Sequence, residues 1–224
     1  MMFEVNYSVE SWKYEKPFAI ARGVATEDEV IVVTITEDGL VGRGEGMAVY
    51  YSGESIDSML AQLNAIKSKL RPGIKASDIQ SLLPNGGARN AIDCALWDLE
   101  SKRQQKPVWQ LVGLKEFNSL NVTYTLGIES AQEMADSAKK ANLPLYKVKF
   151  KGDGADMERL KAINLACPQA RLIVDANEGW DFEQLQSYVC EMKDYGVELI
   201  EQPMKAGCDE QLIGFKSAIP LCAD

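Results

Sequence analysis

No histidine occurs anywhere in the 224 residues. That absence excludes Ser-His-Asp and Cys-His catalysis, and any histidine-ligated zinc site, within this chain. Acid–base chemistry is left to lysine, carboxylates, tyrosine or cysteine. Long apolar runs are missing too: no stretch approaches the roughly 18 residues a membrane helix needs. The start, "MMFEVNYSVE", lacks the basic-then-apolar pattern of a secretory signal. No basic run exceeds two residues and the formal net charge is −9, so neither nucleic acid nor a membrane is an expected partner. The cysteines (Cys94, Cys167, Cys190, Cys208, Cys222) show no CxxC spacing. An odd, scattered set fits reduced thiols and a cytoplasmic location better than a disulfide framework.

What is present is ordinary globular material, 46% hydrophobic and 25% charged. That is enough for one large domain or two modest ones. The first third reads as a unit of its own. "FEVNYSV", "EVIVVTIT" and "LVGRGEG" are expected strands, the last two joined by a Glu-Asp-Gly turn. Helices are expected over about 55–70, 76–83 and 86–104, the long one carrying a stripe of Ile92, Ala95, Leu96 and Leu99. Trp97 falls at helical spacing and is expected in the core. Strands followed by helices suggest an α+β domain over residues 1–115. From 116 to 224 the pattern alternates. Strands are expected at 120–126, 145–150, 171–175, 197–201 and 220–223, with helices near 130–141, 155–166, 181–194 and 208–217. Repeated βα units with short apolar strands indicate an α/β fold with a parallel sheet, here about five strands of an eight-stranded (β/α) barrel.

Residues 145–150, "LYKVKF", place Lys147 and Lys149 on one strand face and Tyr146, Val148 and Phe150 on the other. Taken alone, this is an exposed strand with a basic solvent face. Ionisable residues, however, end the next three strands as well: Asp175 in "LIVDAN", Glu201 in "ELIEQP" and Asp224 in "LCAD". With Lys149 they recur at intervals of 26, 26 and 23 residues, about one βα repeat each. The spacing puts all four at the C-terminal end of neighbouring strands, the face where barrel enzymes hold their chemistry. Three converging carboxylates call for a cation, and an oxygen-only donor set favours a hard ion such as Mg2+. Two ammoniums roughly 6–7 Å apart repel by about 2.5 kcal/mol at an effective dielectric near 20. That repulsion, with a divalent cation nearby, is expected to leave one lysine neutral and able to take a proton α to a carboxylate.

The order "KVK", "VDAN", "EQP" and "CAD" resembles the muconate-lactonizing subgroup of the enolase superfamily, over essentially the whole chain. "PFAIARG", "YYSGES" and "LPNGGARNAIDCALWDLESKRQQ" are similar, more narrowly, to dipeptide epimerases, especially those acting on L-Ala-D/L-Glu in murein peptide recycling. The resemblance implies a capping domain followed by an enolase-type barrel, and Mg2+ held by Asp175, Glu201 and Asp224. It implies Lys149 as proton acceptor and donor on one face of the α-carbon, supported by Lys147, which also contacts the substrate carboxylate. Thr125 matches a substrate-contacting threonine. Arg22, in the mobile loop of the capping domain, would clamp a glutamyl side-chain carboxylate, an ordinary surface arginine being the alternative. Asn177 is either a neighbour of the metal ligands or a helix cap, and Tyr50, Tyr51 and Ser52 either line the pocket mouth or are plain surface. The family's second catalytic lysine, on a sixth strand, falls outside these residues, as do its specificity residues on the eighth, so the chain reads as a fragment or a natural truncation. The expected function is Mg2+-dependent interconversion of L-Ala-D-Glu and L-Ala-L-Glu through an enediolate, with a small dipeptide as ligand. The rivals are a succinylbenzoate synthase or cycloisomerase of the same subgroup, and a truncated, non-catalytic metal-binding or interaction protein. Oligomeric state, a homo-oligomer included, stays open.

Overall fold

The computed structural model describes residues 2–116 and 118–224. The chain forms two compact units, Met1–Glu15 with Glu27–Asn118, and Lys16–Thr26 with Ser119–Asp224. The first is built on most of a three-stranded sheet of β1 (Phe3–Ile20), β2 (Gly23–Glu37) and β3 (Leu40–Met47), in that order, the hairpin end Lys16–Thr26 belonging to the second. β1 and β2 extend well past the expected strands and meet at a two-residue turn, Ala21–Arg22. β2 and β3 are antiparallel, and Asp38 and Gly39 between them both adopt positive φ, the turn that matches the strands' twist.

Alternate residues Ile31, Val33 and Ile35 of β2 are fully buried. They pack with α1 (Ile56–Ile66), α2 (Ala76–Leu82) and α3 (Gly87–Gln104) through Met59, Leu63, Ile79, Ile92 and Leu99. A Ser55–Ser58 capping box starts α1. α3 lies directly on β3, whose glycines permit the approach: a Cβ on Gly44 would stand 2.2 Å from the Ala91 carbonyl oxygen. The expected stripe on α3 is buried, whereas Trp97 is only half-buried, one residue off that stripe. A short α4 (Val108–Leu111) follows, with no counterpart in the sequence reading.

The second unit is a five-stranded sheet, β4 (Tyr124–Leu126), β5 (Leu145–Lys149), β6 (Arg171–Asp175), β7 (Val197–Glu201) and β8 (Leu221–Cys222), ordered as in sequence with every pairing parallel. α5 (Ala131–Ala141), α6 (Asp156–Ala166) and α7 (Phe182–Met192) connect the strands. Tyr146, Val148, Val174 and Ile200 pack in one core with Met134, Leu160, Ile163 and Leu185 of those helices. Capping boxes at Ser130 and Asp181 fix where α5 and α7 begin.

Two expectations are corrected. The first strand of this sheet covers Tyr124–Leu126 rather than 120–126, and Leu120 and Val122 are exposed. The helix expected over 208–217 is a single 3-10 turn, Asp209–Leu212, bracketed by Gly207 and Gly214 at φ 83° and 81°. Left-handed glycines at both ends stop a helix from propagating. Among the described residues no helix is long and apolar enough to cross a membrane.

Candidate active site at the strand ends

Strand register brings the expected residues to one face. Lys149 pairs with Asp175, Asp175 with Glu201 and Glu201 with Cys222, while Thr125 pairs with Lys147 one step earlier. Partners in register point to the same side of a sheet. The alignment depends on an irregularity: Leu172 pairs with Val197 but Ile173 with Leu199, skipping Glu198. Without that bulge Asp175 would face Ile200, because a slip of one residue reverses every side chain. Asp224 is not in the row; Cys222 occupies it, and Asp224 follows two residues later.

The basic and acidic groups of this face form one ion cluster. Asp175 is completely buried, and its Oδ2 meets Lys149 Nζ at 2.6 Å and Lys147 Nζ at 2.9 Å. Lys147 also reaches Glu201 Oε1 at 2.7 Å, so its ammonium stands between the two carboxylates. Burial works to lower the Lys147 pKa, but hydrogen bonds to Glu201 and Asp175 outweigh it and hold the pKa above its ordinary value. For Asp175 burial pushes upward and the two lysines win, leaving its pKa lowered. The two lysines thus share one carboxylate, which offsets their mutual repulsion, and Lys147 is held charged.

Arg22, at the hairpin turn, lies with the second unit. It donates from Nη1 to Glu178 Oε1 at 3.2 Å, and its Nη2 is 3.6 Å from Asp224 Oδ2. Gln202 links the same ends: its Oε1 accepts from the Asp224 N–H at 3.1 Å and its Nε2 donates to the Met204 carbonyl at 2.9 Å. Asn177, Glu178 and Gln202 all adopt positive φ, immediately after Asp175 and Glu201. Strained non-glycine backbone of this kind collects at functional sites. Asn177 is not a helix cap, since Asp181 caps α7. Its N–H donates to Asp175 Oδ1 at 2.9 Å. Thr125 is half-buried, and Tyr50 and Tyr51 are exposed in the first unit.

Among the described residues no three carboxylates or thiols are gathered closely enough to enclose a metal ion. Asp175 and Glu201 converge on the Lys147 ammonium, while Asp224 turns toward Arg22. Convergence of all three was the sequence expectation, and local ion pairing accounts for the difference. The residue types nevertheless fit a hard cation, being oxygen donors on adjacent strand ends. The buried Asn177 Oδ1 lacks any hydrogen-bond partner, an acceptor that a cation or its water would satisfy. Sequence reasoning missed Glu178, Gln202, the α6 residues Asp156 and Arg159, and Trp180 in the loop after β6; the only hint was Asp153, Asp156 and Arg159 recurring every third residue at a helix start.

Residues 2–113 match the mandelate racemase / muconate lactonizing enzyme N-terminal domain, and residues 129–224 the enolase C-terminal domain-like family. The chain belongs to this family of the enolase superfamily. It is 40% identical over 226 residues to the L-Ala-D/L-Glu epimerase of Escherichia coli K12, covering all of this chain and 70% of that protein. It is also 40% identical over 199 residues to the N-acetyl-D-glutamate racemase of a Pseudoalteromonas species, covering 87% of this chain and 62% of that protein. Among solved structures it resembles a dipeptide epimerase from Enterococcus faecalis V583 complexed with Mg and L-Leu-L-Tyr, with 29% identity and a TM-score of 0.88, over 100% of this chain and 68% of that one.

Proposed function

We propose that this chain carries the lysine-and-carboxylate half of an epimerase site acting at the α-carbon of a glutamyl residue, with L-Ala-D-Glu and L-Ala-L-Glu as the pair interconverted. The observation that carries the reading is the row of Lys149, Asp175 and Glu201, bridged by Lys147, at the ends of three adjacent parallel strands. Lys149 takes the α-proton from one face of the substrate and returns it there. Its 2.6 Å contact with Asp175 fixes where the amine sits. Lys147, held charged between Asp175 and Glu201, offers a positive charge to the substrate's α-carboxylate. Mg2+, bound by Asp175, Glu201 and Asp224, would stabilise the negative charge that develops on that carboxylate as the proton leaves.

Arg22 supports the glutamyl preference. A guanidinium that already engages the carboxylates of Glu178 and Asp224 presents the fork that a substrate side-chain carboxylate would take. Thr125, in register with Lys147, adds a hydroxyl on the same face. Inversion needs a base on the opposite face of the α-carbon, which the family resemblance assigns to a lysine on a sixth strand. The dipeptide itself is a fragment of cell-wall peptide, which fits a role in recycling.

A second substrate deserves a place in the assay, because one relative at 40% identity is an N-acetyl-D-glutamate racemase. In both L-Ala-L-Glu and N-acetylglutamate the glutamyl amine is acylated. The protein, expressed with whatever coding sequence follows Asp224, should be assayed on both isomers of Ala-Glu, on N-acetylglutamate and on uncharged dipeptides. Inversion of Ala-Glu, lost in Lys149→Ala, supports the reading. Turnover confined to N-acetylglutamate would move the substrate, and no turnover of any acylated glutamate would sink the glutamyl assignment.

A further inference from the structure

Asp156 opens α6, is fully buried and plays no part in the chemistry above. Four N–H donors from three places converge on its two oxygens. Oδ1 accepts from the Lys151 N–H at 3.3 Å and Arg159 Nη1 at 3.0 Å; Oδ2 accepts from the Gly152 N–H at 2.8 Å and Trp180 Nε1 at 2.9 Å. Lys151 and Gly152 belong to the loop that follows Lys149, and Trp180 to the loop that follows Asp175. Arg159, itself nearly buried, grips Asp153 with both Nη atoms at 2.6 and 2.8 Å and donates from Nε to the Glu129 carbonyl, in the loop after β4. One buried ion pair therefore ties together three consecutive strand-end loops.

The two loops flanking the base are also in direct backbone contact. A Cβ on Gly152 would stand 2.2 Å from the Gly179 carbonyl oxygen, and Gly152 has φ +73°. Between loop and strand, the Phe150 N–H donates to the Asp175 carbonyl at 2.9 Å, and the Phe150 and Trp180 rings are 6.3 Å apart. Every partner of Asp156 is a donor, so the position demands an acceptor-only group with two oxygens. An amide of the same shape would turn its own N–H groups toward them. A carboxylate serving only to start the helix would have no need of the Trp180 indole from another segment.

We infer that Asp156 is a positioning residue: through Lys151–Gly152 and Trp180 it clamps the loop after Lys149 to the loop after Asp175 and fixes the separation of the base from its carboxylate partner. The inference rests on the reading of Lys149 as the base. The test uses Trp180→Phe, which removes one clamp hydrogen bond and keeps a ring, and Asp156→Asn, which replaces an acceptor by a donor. Ile163→Val, in the same core, is the control for generic loosening. In the full chain, kcat for α-proton exchange of Ala-Glu should fall about tenfold in Trp180→Phe with KM within about twofold, while Ile163→Val leaves both unchanged. Amide exchange at Phe150 and Gly152, read by mass spectrometry without substrate, should be faster in Trp180→Phe than in Ile163→Val. If Asp156→Asn fails to fold, Trp180→Phe decides alone. Equal amide exchange and equal kcat in Trp180→Phe and Ile163→Val would overturn the clamp. Should the wild-type protein exchange no substrate proton, the assignment of Lys149 fails, and the amide-exchange comparison then decides whether the clamp exists.

Discussion

Replacing Asp175 by asparagine keeps the shape of the side chain and removes the charge that two lysines share. Lys149 and Lys147 lie 2.6 and 2.9 Å from the same oxygen, so their nitrogens are separated by no more than the sum of the two, about 5.5 Å. At that separation two ammoniums repel by about 3 kcal/mol at an effective dielectric near 20. In the native protein the buried carboxylate more than compensates; in Asp175→Asn only Glu201 remains, and it contacts Lys147 alone. Lys147 retains some solvent access and can swing outward, whereas Lys149 is nearly buried, so relief is partial. The expected loss is about 2–4 kcal/mol of unfolding free energy, in line with breaking a buried ion pair. Urea denaturation followed by circular dichroism, without divalent cations, measures it. Adding Lys147→Met to Asp175→Asn should restore more than about 1 kcal/mol by removing one of the repelling charges. An Asp175→Asn protein within about 0.5 kcal/mol of wild type, or a double variant no better than the single, would refute the shared-carboxylate reasoning.

Arg22→Met should raise KM for L-Ala-L-Glu far more than for an uncharged dipeptide, a difference of about 1.5–3 kcal/mol for one lost charge-assisted pair; equal changes on both substrates would remove Arg22 from selection. Gly44→Ala should destabilise the protein by about 1–3 kcal/mol, because the new methyl meets a helix carbonyl rather than a movable side chain; a thermal melt unchanged from wild type would contradict the close packing of β3 on α3. The Arg159 guanidinium holds the Asp153 carboxyl well below the usual carboxylate range. Asp153 therefore contributes stability above its unfolded pKa, near 3.9, and that contribution is lost as pH falls toward the lower folded value, since the unfolded chain takes up the proton first. Asp153→Asn should flatten the fall in stability below about pH 4, and an unchanged slope would show that the pair carries no such linkage.

The sequence disclosed the strand-end row because apolar runs ending in Lys149, Asp175 and Glu201 recur with the period of a βα unit. It could not disclose the bulge at Leu172–Ile173, which brings Glu201 rather than Ile200 opposite Asp175: counting residues between strands assumes an unbroken register. The segment 208–217 looked helical from composition alone, and the two left-handed glycines that stop it are visible only as geometry. The ion pairs of Lys147 and Arg22 depend on side chains 54 and 156 residues away, beyond any local pattern. Asp156 and Arg159 were legible as residues but not as a clamp, because their partners come from three separate loops. Trp97 shows the limit of periodicity: its spacing suits a helix, but its direction falls one residue off the buried stripe.

The claim at the centre is that Lys149 works one face of the glutamyl α-carbon and a different base works the other. Proton NMR in D2O, with L-Ala-L-Glu and L-Ala-D-Glu followed separately in the presence of Mg2+, tests it most directly. Residues 1–224 should exchange the α-proton of one isomer without inverting it. Expressed with any coding sequence that follows Asp224 and supplies the second base, the protein should invert both, and its Lys149→Ala variant should exchange only the other isomer. Full epimerisation by residues 1–224, or inversion by the Lys149→Ala variant, would contradict two-base chemistry at this site.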